Sequence, residues 1–135
     1  FIDSCNNRFD IPNTSFEKID ILDGPLKEKY DGIFSMDVLE HIENKYTDKF
    51  IENITRSLKE NGVCIIGMPS IESQEYASPG SKLGHVNCMS KEDLNNYCSK
   101  FFRNVFMFGM NDEVLHTGYS RMNQYIIALC SIPDL

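Results

Sequence analysis

One run constrains the fold of this chain more than any other: Val63-Cys64-Ile65-Ile66-Gly67-Met68, apolar throughout and closed by Pro69. A short stretch without alternation marks a strand buried on both faces, and such strands belong to parallel sheets sandwiched by helices. The flanks agree. Tyr46, Phe50, Ile51, Ile54 and Leu58 recur at helical spacing, which predicts a helix from about Lys45 to Glu60. Asn61-Gly62 is expected to end it, since glycine tolerates the left-handed conformation just past a helix. Upstream, Tyr30 to Met36 reads as a strand with Asp37 to Ile42 as its tight exit. Ser15 to Leu22 alternates through Phe16, Ile19 and Ile21 and predicts another strand, broken by Asp23-Gly24-Pro25. Residues 1–9 fit the end of an amphipathic helix carrying Phe1, Ile2, Cys5 and Phe9.

Beyond Pro69, the polar stretch from Ser70 to Cys88 predicts a long loop, and loops of that length are usually functional or disordered. Ser90 is a good N-cap, with Asp93 three residues on, for a helix presenting Leu94, Tyr97, Cys98 and Phe101. Val105 to Met110 and Met122 to Cys130 read as strands, and Asn111 to Arg121 is too short for a crossover helix. These two strands are therefore expected side by side and antiparallel at one side of the sheet. Strand and helix in alternation give an α/β fold: a mostly parallel sheet with a C-terminal antiparallel pair. With 135 residues, a single domain over 1–135 is expected.

Composition narrows the function classes. There are 13 Lys+Arg against 20 Asp+Glu, a formal net charge of -7, which disfavours non-specific binding of a phosphate backbone and makes nucleic acid an unfavoured partner. No apolar run approaches the roughly 20 residues a membrane helix needs. The five cysteines are odd in number and form no C-x-x-C, and Cys64 and Cys130 sit inside apolar runs. They read as small buried hydrophobes in a reducing compartment, so a cytoplasmic location is expected. No signal peptide is read at the start of the chain. Phe rather than Met at position 1, and Phe1 to Cys5 looking like the inside of an element, predict a chain shortened at its N-terminus.

In an open α/β sheet, ligands bind beyond the carboxyl ends of the strands. The predicted strand ends carry Asp20, Ser35 with Asp37, and Ser70, and the Ser70–Cys88 loop springs from the same edge. A site built from Asp20, Asp37, Glu40, His41 and His85 is expected there. Asp37, Glu40 and His41 also fall at i, i+3 and i+4, a metal-ligand pattern. A catalytic metal needs a second histidine or a third carboxylate within reach, and sequence alone places none.

The stretch Tyr30-Asp31-Gly32-Ile33-Phe34-Ser35-Met36-Asp37-Val38-Leu39-Glu40-His41-Ile42 resembles the fourth-strand motif of class I S-adenosylmethionine-dependent methyltransferases. Arg56-Ser57-Leu58-Lys59-Glu60-Asn61-Gly62 and the strand ending at Pro69 are similar to that family's next helix end and fifth strand. Gly84-His85-Val86-Asn87, Ser90 to Leu94 and Phe101-Phe102 are similar to a later family stretch. The departure is equally plain: no G-x-G occurs, so the family's glycine-rich cofactor turn and the acidic end of its second strand are not in this sequence. The resemblance therefore implies a Rossmann-like sheet, incomplete because the first two strands are absent. Those strands would lie between the 15–22 and 30–36 strands. Alone, such a chain is expected to be marginal or unfolded. A missing N-terminal segment, a homo-oligomer or another partner chain would complete the sheet.

The function implied by the resemblance is transfer of a methyl group from S-adenosylmethionine to a small-molecule acceptor. Asp20 and Ile21 would flank the adenine, and Met36 and Asp37 would approach the methionine and sulfonium end. His85 is expected in acceptor contact or as a base, with Tyr76 and Asn87 as lesser candidates and His116 at the surface. His41 is a candidate base, since imidazole titrates near neutral pH, with a structural role favoured for it. The competing reading is a methyltransferase-like binding or scaffolding module without catalysis that pairs with another chain.

Overall fold

The computed structural model describes residues 2–134, and Phe1, expected in the first helix, lies outside them. Helix α1 covers Ile2–Arg8 and buries no side chain. Strand β1 covers Tyr30–Met36, helix α2 Thr47–Arg56, strand β2 Leu58–Pro69, helix α3 Pro79–Gly84 and helix α4 Lys91–Cys98. Strands β3 (Phe102–Asn111), β4 (Val114–His116) and β5 (Tyr125–Pro133) complete the order. The sheet has five strands in the order β1-β2-β5-β3-β4. β1 and β2 are parallel, while β2–β5, β5–β3 and β3–β4 are antiparallel. β3 therefore runs in the same direction as β1 and β2, with β5 reversed between them. This is the α/β, Rossmann-like sheet with a C-terminal antiparallel pair that the sequence led us to expect.

One face of the sheet is closed and the other is not. Cys64, Ile66 and Met68 of β2 point with Ile126, Ala128 and Cys130 of β5 toward the helices and are buried. There they meet Phe50, Ile51 and Ile54 of α2 and Leu94 and Cys98 of α4. On the reverse face the pairing aligns Phe34, Ile65, Leu129 and Phe106 in one row across four strands. Phe34 is 77% exposed and Phe106 56%. The expectation that the Val63–Met68 run is buried on both faces is thus corrected. Its composition fits two covered faces, but among the described residues α2 and α4 cover only one. The outer edge of β1 likewise pairs with no described strand.

Three further expectations are corrected. Residues 15–22 form no strand: Ile21 and Leu22 pack against the core instead, and the segment ends in a turn closed by the Asp23 amide on the Asp20 carbonyl (3.0 Å). Alternation gave the right pattern, but no neighbouring edge is present among the described residues for it to pair with. The helix expected to reach Glu60 stops at Arg56. The buried Ser57 carbonyl accepts from the Tyr30 amide (2.9 Å), so it joins the helix end to β1 instead of extending the helix. Leu58 to Gly62 then form a bulge: Tyr30 faces Leu58, while Gly32 faces Val63. Gly62 has no positive φ; a Cβ there would lie 2.9 Å from Leu58 Cβ and from the Lys59 carbonyl, so the glycine serves close packing. Finally, the Ser70–Cys88 loop contains a 3-10 turn at Glu72–Tyr76 and α3, whose Ser78 N-cap accepts from the Ser81 amide. Ser90 caps α4 as expected, accepting from the Asp93 amide. All five cysteines are free. No helix among the described residues is long and apolar enough to cross a membrane.

Candidate active site

The site grows from the carboxyl end of β1. Asp37 turns the chain there with a left-handed φ of 55°, a conformation that aspartate adopts more readily than most residues. Its amide donates to the Gly67 carbonyl at the end of β2 (3.0 Å). The reversal folds Leu39–His41 into a 3-10 turn over the sheet end, with Leu39 fully buried and Glu40 only 1% exposed. Burial pushes the Glu40 carboxyl above its ordinary range, and the neighbouring Asp37 carboxylate adds to the effect.

The segment after α3 returns to this turn. Asn87 is the clamp: its amide donates to the Glu40 carbonyl (3.0 Å), and its side chain donates to Thr47 Oγ1 (3.0 Å) and accepts from Asn44 Nδ2 (3.0 Å). This brings His85 beside His41, with ring centroids 5.1 Å apart and planes at 72°. His41 Nδ1–H donates to the Gly84 carbonyl (2.9 Å) and His85 Nδ1–H to Gln74 Oε1 (2.9 Å). A carbonyl oxygen only accepts, so Nδ1 carries a proton in both rings, and Nε2 is the ring nitrogen left without a hydrogen bond. Glu40 Oε1 lies 3.8 Å from His41 Nε2, and Glu40 Oε2 is buried with no hydrogen-bond partner.

A cavity of about 700 Å³ opens alongside, lined in part by Tyr76, His85, Met110, Met122, Asn123 and Tyr125. Its size is that of a small-molecule pocket. The Tyr125 hydroxyl and both amide atoms of Asn123 are buried without partners. Burial first, then the Asp37 carboxylate, push the Tyr125 phenol well above its ordinary range, so it stays protonated and can donate. Ser35 Oγ, near the end of β1, is also buried and unpartnered.

The structure thus brings together Glu40, His41 and His85, with the charge of Asp37 acting on Glu40. Met36 is half-exposed at the same strand end. It does not bring Asp20 and Ile21 to this cluster through any described contact. Asp20 Oδ1 accepts from the Leu22 amide (2.9 Å), and the Ile21 carbonyl accepts from Asn53 (2.7 Å), in the second half of α2. The histidine cluster is tied to Thr47, at the helix's other end. Tyr76 is exposed at the cavity mouth, Asn87 is buried with its side chain bonded to Thr47 and Asn44, and His116 lies on β4, its Nδ1 accepting from the Gly118 amide (3.0 Å). Sequence reasoning missed Tyr125, Asn123 and Gln74. Tyr125 had a legible signal: an antiparallel strand begins where its parallel neighbour ends, so the first residue of β5 falls at the ligand-binding edge.

Residues 3–117 match the family model described as "Methyltransferase domain". The chain belongs to this methyltransferase family. Solved structures agree in fold. A SAM-dependent methyltransferase from Thermotoga maritima, described as a "possible histamine N-methyltransferase", superposes with a TM-score of 0.69 at 18% identity, over 87% of this chain and 63% of that one. The N-methyltransferase NodS from Bradyrhizobium japonicum, in complex with S-adenosyl-L-homocysteine, gives 0.64 at 19%, over 97% and 60%. A Haloferax volcanii complex between the Trm112 methyltransferase activator and a protein described as "the putative methyltransferase" gives 0.75 at 13%, over 98% and 67%. The methyltransferase chain thus spans less than two thirds of the first two structures. No curated protein matches it in sequence.

Proposed function

We propose that the protein takes part in methyl transfer from S-adenosylmethionine to a small-molecule acceptor. Family membership supports the reaction class, and the cavity beside the carboxyl end of β1 supports the acceptor. The geometry of the strand tip supports the cofactor. Asp37 is exposed at the strand tip, and the neighbouring β1 edge is open among the described residues, so Met36 and Asp37 fit one side of a nucleoside sulfonium. The resemblance assigns the adenine to Asp20 and Ile21. When bound, the cofactor supplies an activated methyl group, and the protein's part is orientation and exclusion of water. In this reading His85, at the cavity wall, contacts the acceptor and takes its proton where the acceptor must lose one. His41 beside it is the second candidate base.

The domain reading goes with this. Residues 1–135 form part of one methyltransferase domain whose sheet continues along the free edge of β1, through a preceding segment or a partner chain, in the cytoplasm. A second reading, a non-catalytic module that pairs with another chain, is favoured by that same free edge and by the bare face behind it.

The test is a thermal melt with S-adenosylhomocysteine, using the protein with any native sequence that precedes Phe1. A ligand of the native state raises Tm by mass action. A rise is expected, reduced in Asp37→Ala and in Asp20→Ala. No rise at saturation removes methyl transfer and leaves the module. A rise unchanged in Asp20→Ala removes the adenine assignment alone.

A further inference from the structure

We propose that Glu40, His41 and His85 form a binding site for a divalent first-row transition metal ion. One ligand atom from each, a carboxylate oxygen and two imidazole nitrogens, lies within 4.8 Å of the others. An ion at about 2.0–2.2 Å from each ligand spaces them at about 3.4 Å in tetrahedral geometry, so a shift of about an ångström closes the site. His41 is half-exposed and His85 lies just past a surface helix, so both rings have room to make it.

Two features point the same way. The first is the tautomer. Metal-binding histidines hold the far ring N–H on a carbonyl or carboxylate so that the other nitrogen faces the ion. Here both Nδ1–H groups are held, by the Gly84 carbonyl and by Gln74 Oε1, and neither Nε2 makes a hydrogen bond. The second is Glu40. Its carboxylate is buried with Oε2 unpartnered, a costly state that an ion at this position relieves. Two imidazoles with one carboxylate select zinc, iron or cobalt over magnesium or calcium, which prefer all-oxygen shells.

Three protein ligands leave a position for water or a substrate atom, as in catalytic metal sites. His85 also lines the cavity, so that position adjoins the acceptor pocket. Resting on the methyl-transfer reading, the acceptor class is then a hydroxyl-bearing molecule whose oxygen the ion would hold, and the two histidines become ligands in place of bases.

The experiment is a cobalt(II) titration of the chelator-treated protein, followed by visible absorption and calorimetry, with the S-adenosylhomocysteine melt run in parallel. One cobalt per chain is expected, displaced by zinc. His85→Ala and the near-isosteric Glu40→Gln should each weaken binding tenfold or more, and Gln74→Ala about tenfold, since losing the group that orients a ligand costs about 10–100-fold. Circular dichroism checks that each variant is folded, and His85→Ala alone decides if Glu40→Gln is not. Absence of cobalt binding, or binding undiminished in the folded variants, overturns the site. No cobalt binding by the parent protein, with its melt shift present, sinks the metal site alone; cobalt binding with no melt shift sinks methyl transfer alone.

Discussion

His41 donates through Nδ1 to the carbonyl of Gly84, 43 residues further along the chain, and the next residue, His85, meets it edge to face. The contact joins the turn after β1 to the segment after α3, and Asn87 fastens the two together.

Replacing Asn87 should therefore open the site. Asn87→Ala strands the buried Thr47 Oγ1 and removes the acceptor of the Asn44 amide. A loss of about 1–3 kcal/mol in stability is expected from unpaired buried groups. Urea denaturation measures it, and histidine NMR shifts should show the two rings losing their common environment. A variant as stable as the parent, with unchanged shifts, would mean that the clamp has no role.

Gly67 tests the strand tip. A Cβ there would lie 2.5 Å from Met36 Cε and 2.8 Å from a Tyr125 ring carbon. Gly67→Ala must displace both of them. We expect a cost of about 1–3 kcal/mol, as for other overpacked sites, together with weaker S-adenosylhomocysteine binding because Met36 moves. Unchanged affinity in a destabilised variant would detach Met36 from the cofactor.

Cys88 gives a pH prediction. Burial, and then the charge of Glu40, push its thiol up to about 11 from an ordinary 9.0. The folded state thus holds its proton through pH 9 and releases it only near 11. At pH 8 its thiolate fraction is on the order of 10⁻³, so iodoacetamide should label it slowly, and the rate should climb with pH up to about 11. Mass spectrometry of the labelled peptide reads this directly; rapid labelling at pH 7 would contradict the assignment.

The row formed by Phe34 and Phe106 with Ile65 and Leu129 predicts solution behaviour. Exposed apolar patches of this kind drive association. Phe34→Ser with Phe106→Lys should reduce self-association in light scattering with little loss of folded stability, because both side chains already face solvent. A large drop in Tm would instead mean that something covers this face.

Much of this fold is local and was legible for that reason. The β1 tip, the Ser90 cap and the pairing of β3 with β5 each follow from neighbouring residues or from a connection too short for a helix. The failures are non-local. Residues 15–22 alternate like a strand, but pairing depends on an edge that the segment itself does not specify. The helix end at Arg56 is set by Tyr30 reaching Ser57, a contact that spacing does not show. The site was half legible: Asp37, Glu40 and His41 share one turn, while the place of His85 depends on how α3 folds back.

A sheet that is wet on one side has a calorimetric consequence. Melting this chain exposes less fresh hydrocarbon than melting a closed domain of equal length. Its heat-capacity increment should fall below the usual 12–15 cal/mol/K per residue or so, and its denaturant slope should be shallow to match. Whatever docks behind β2 and β5 should steepen both, and raise the melting temperature as it binds the native state.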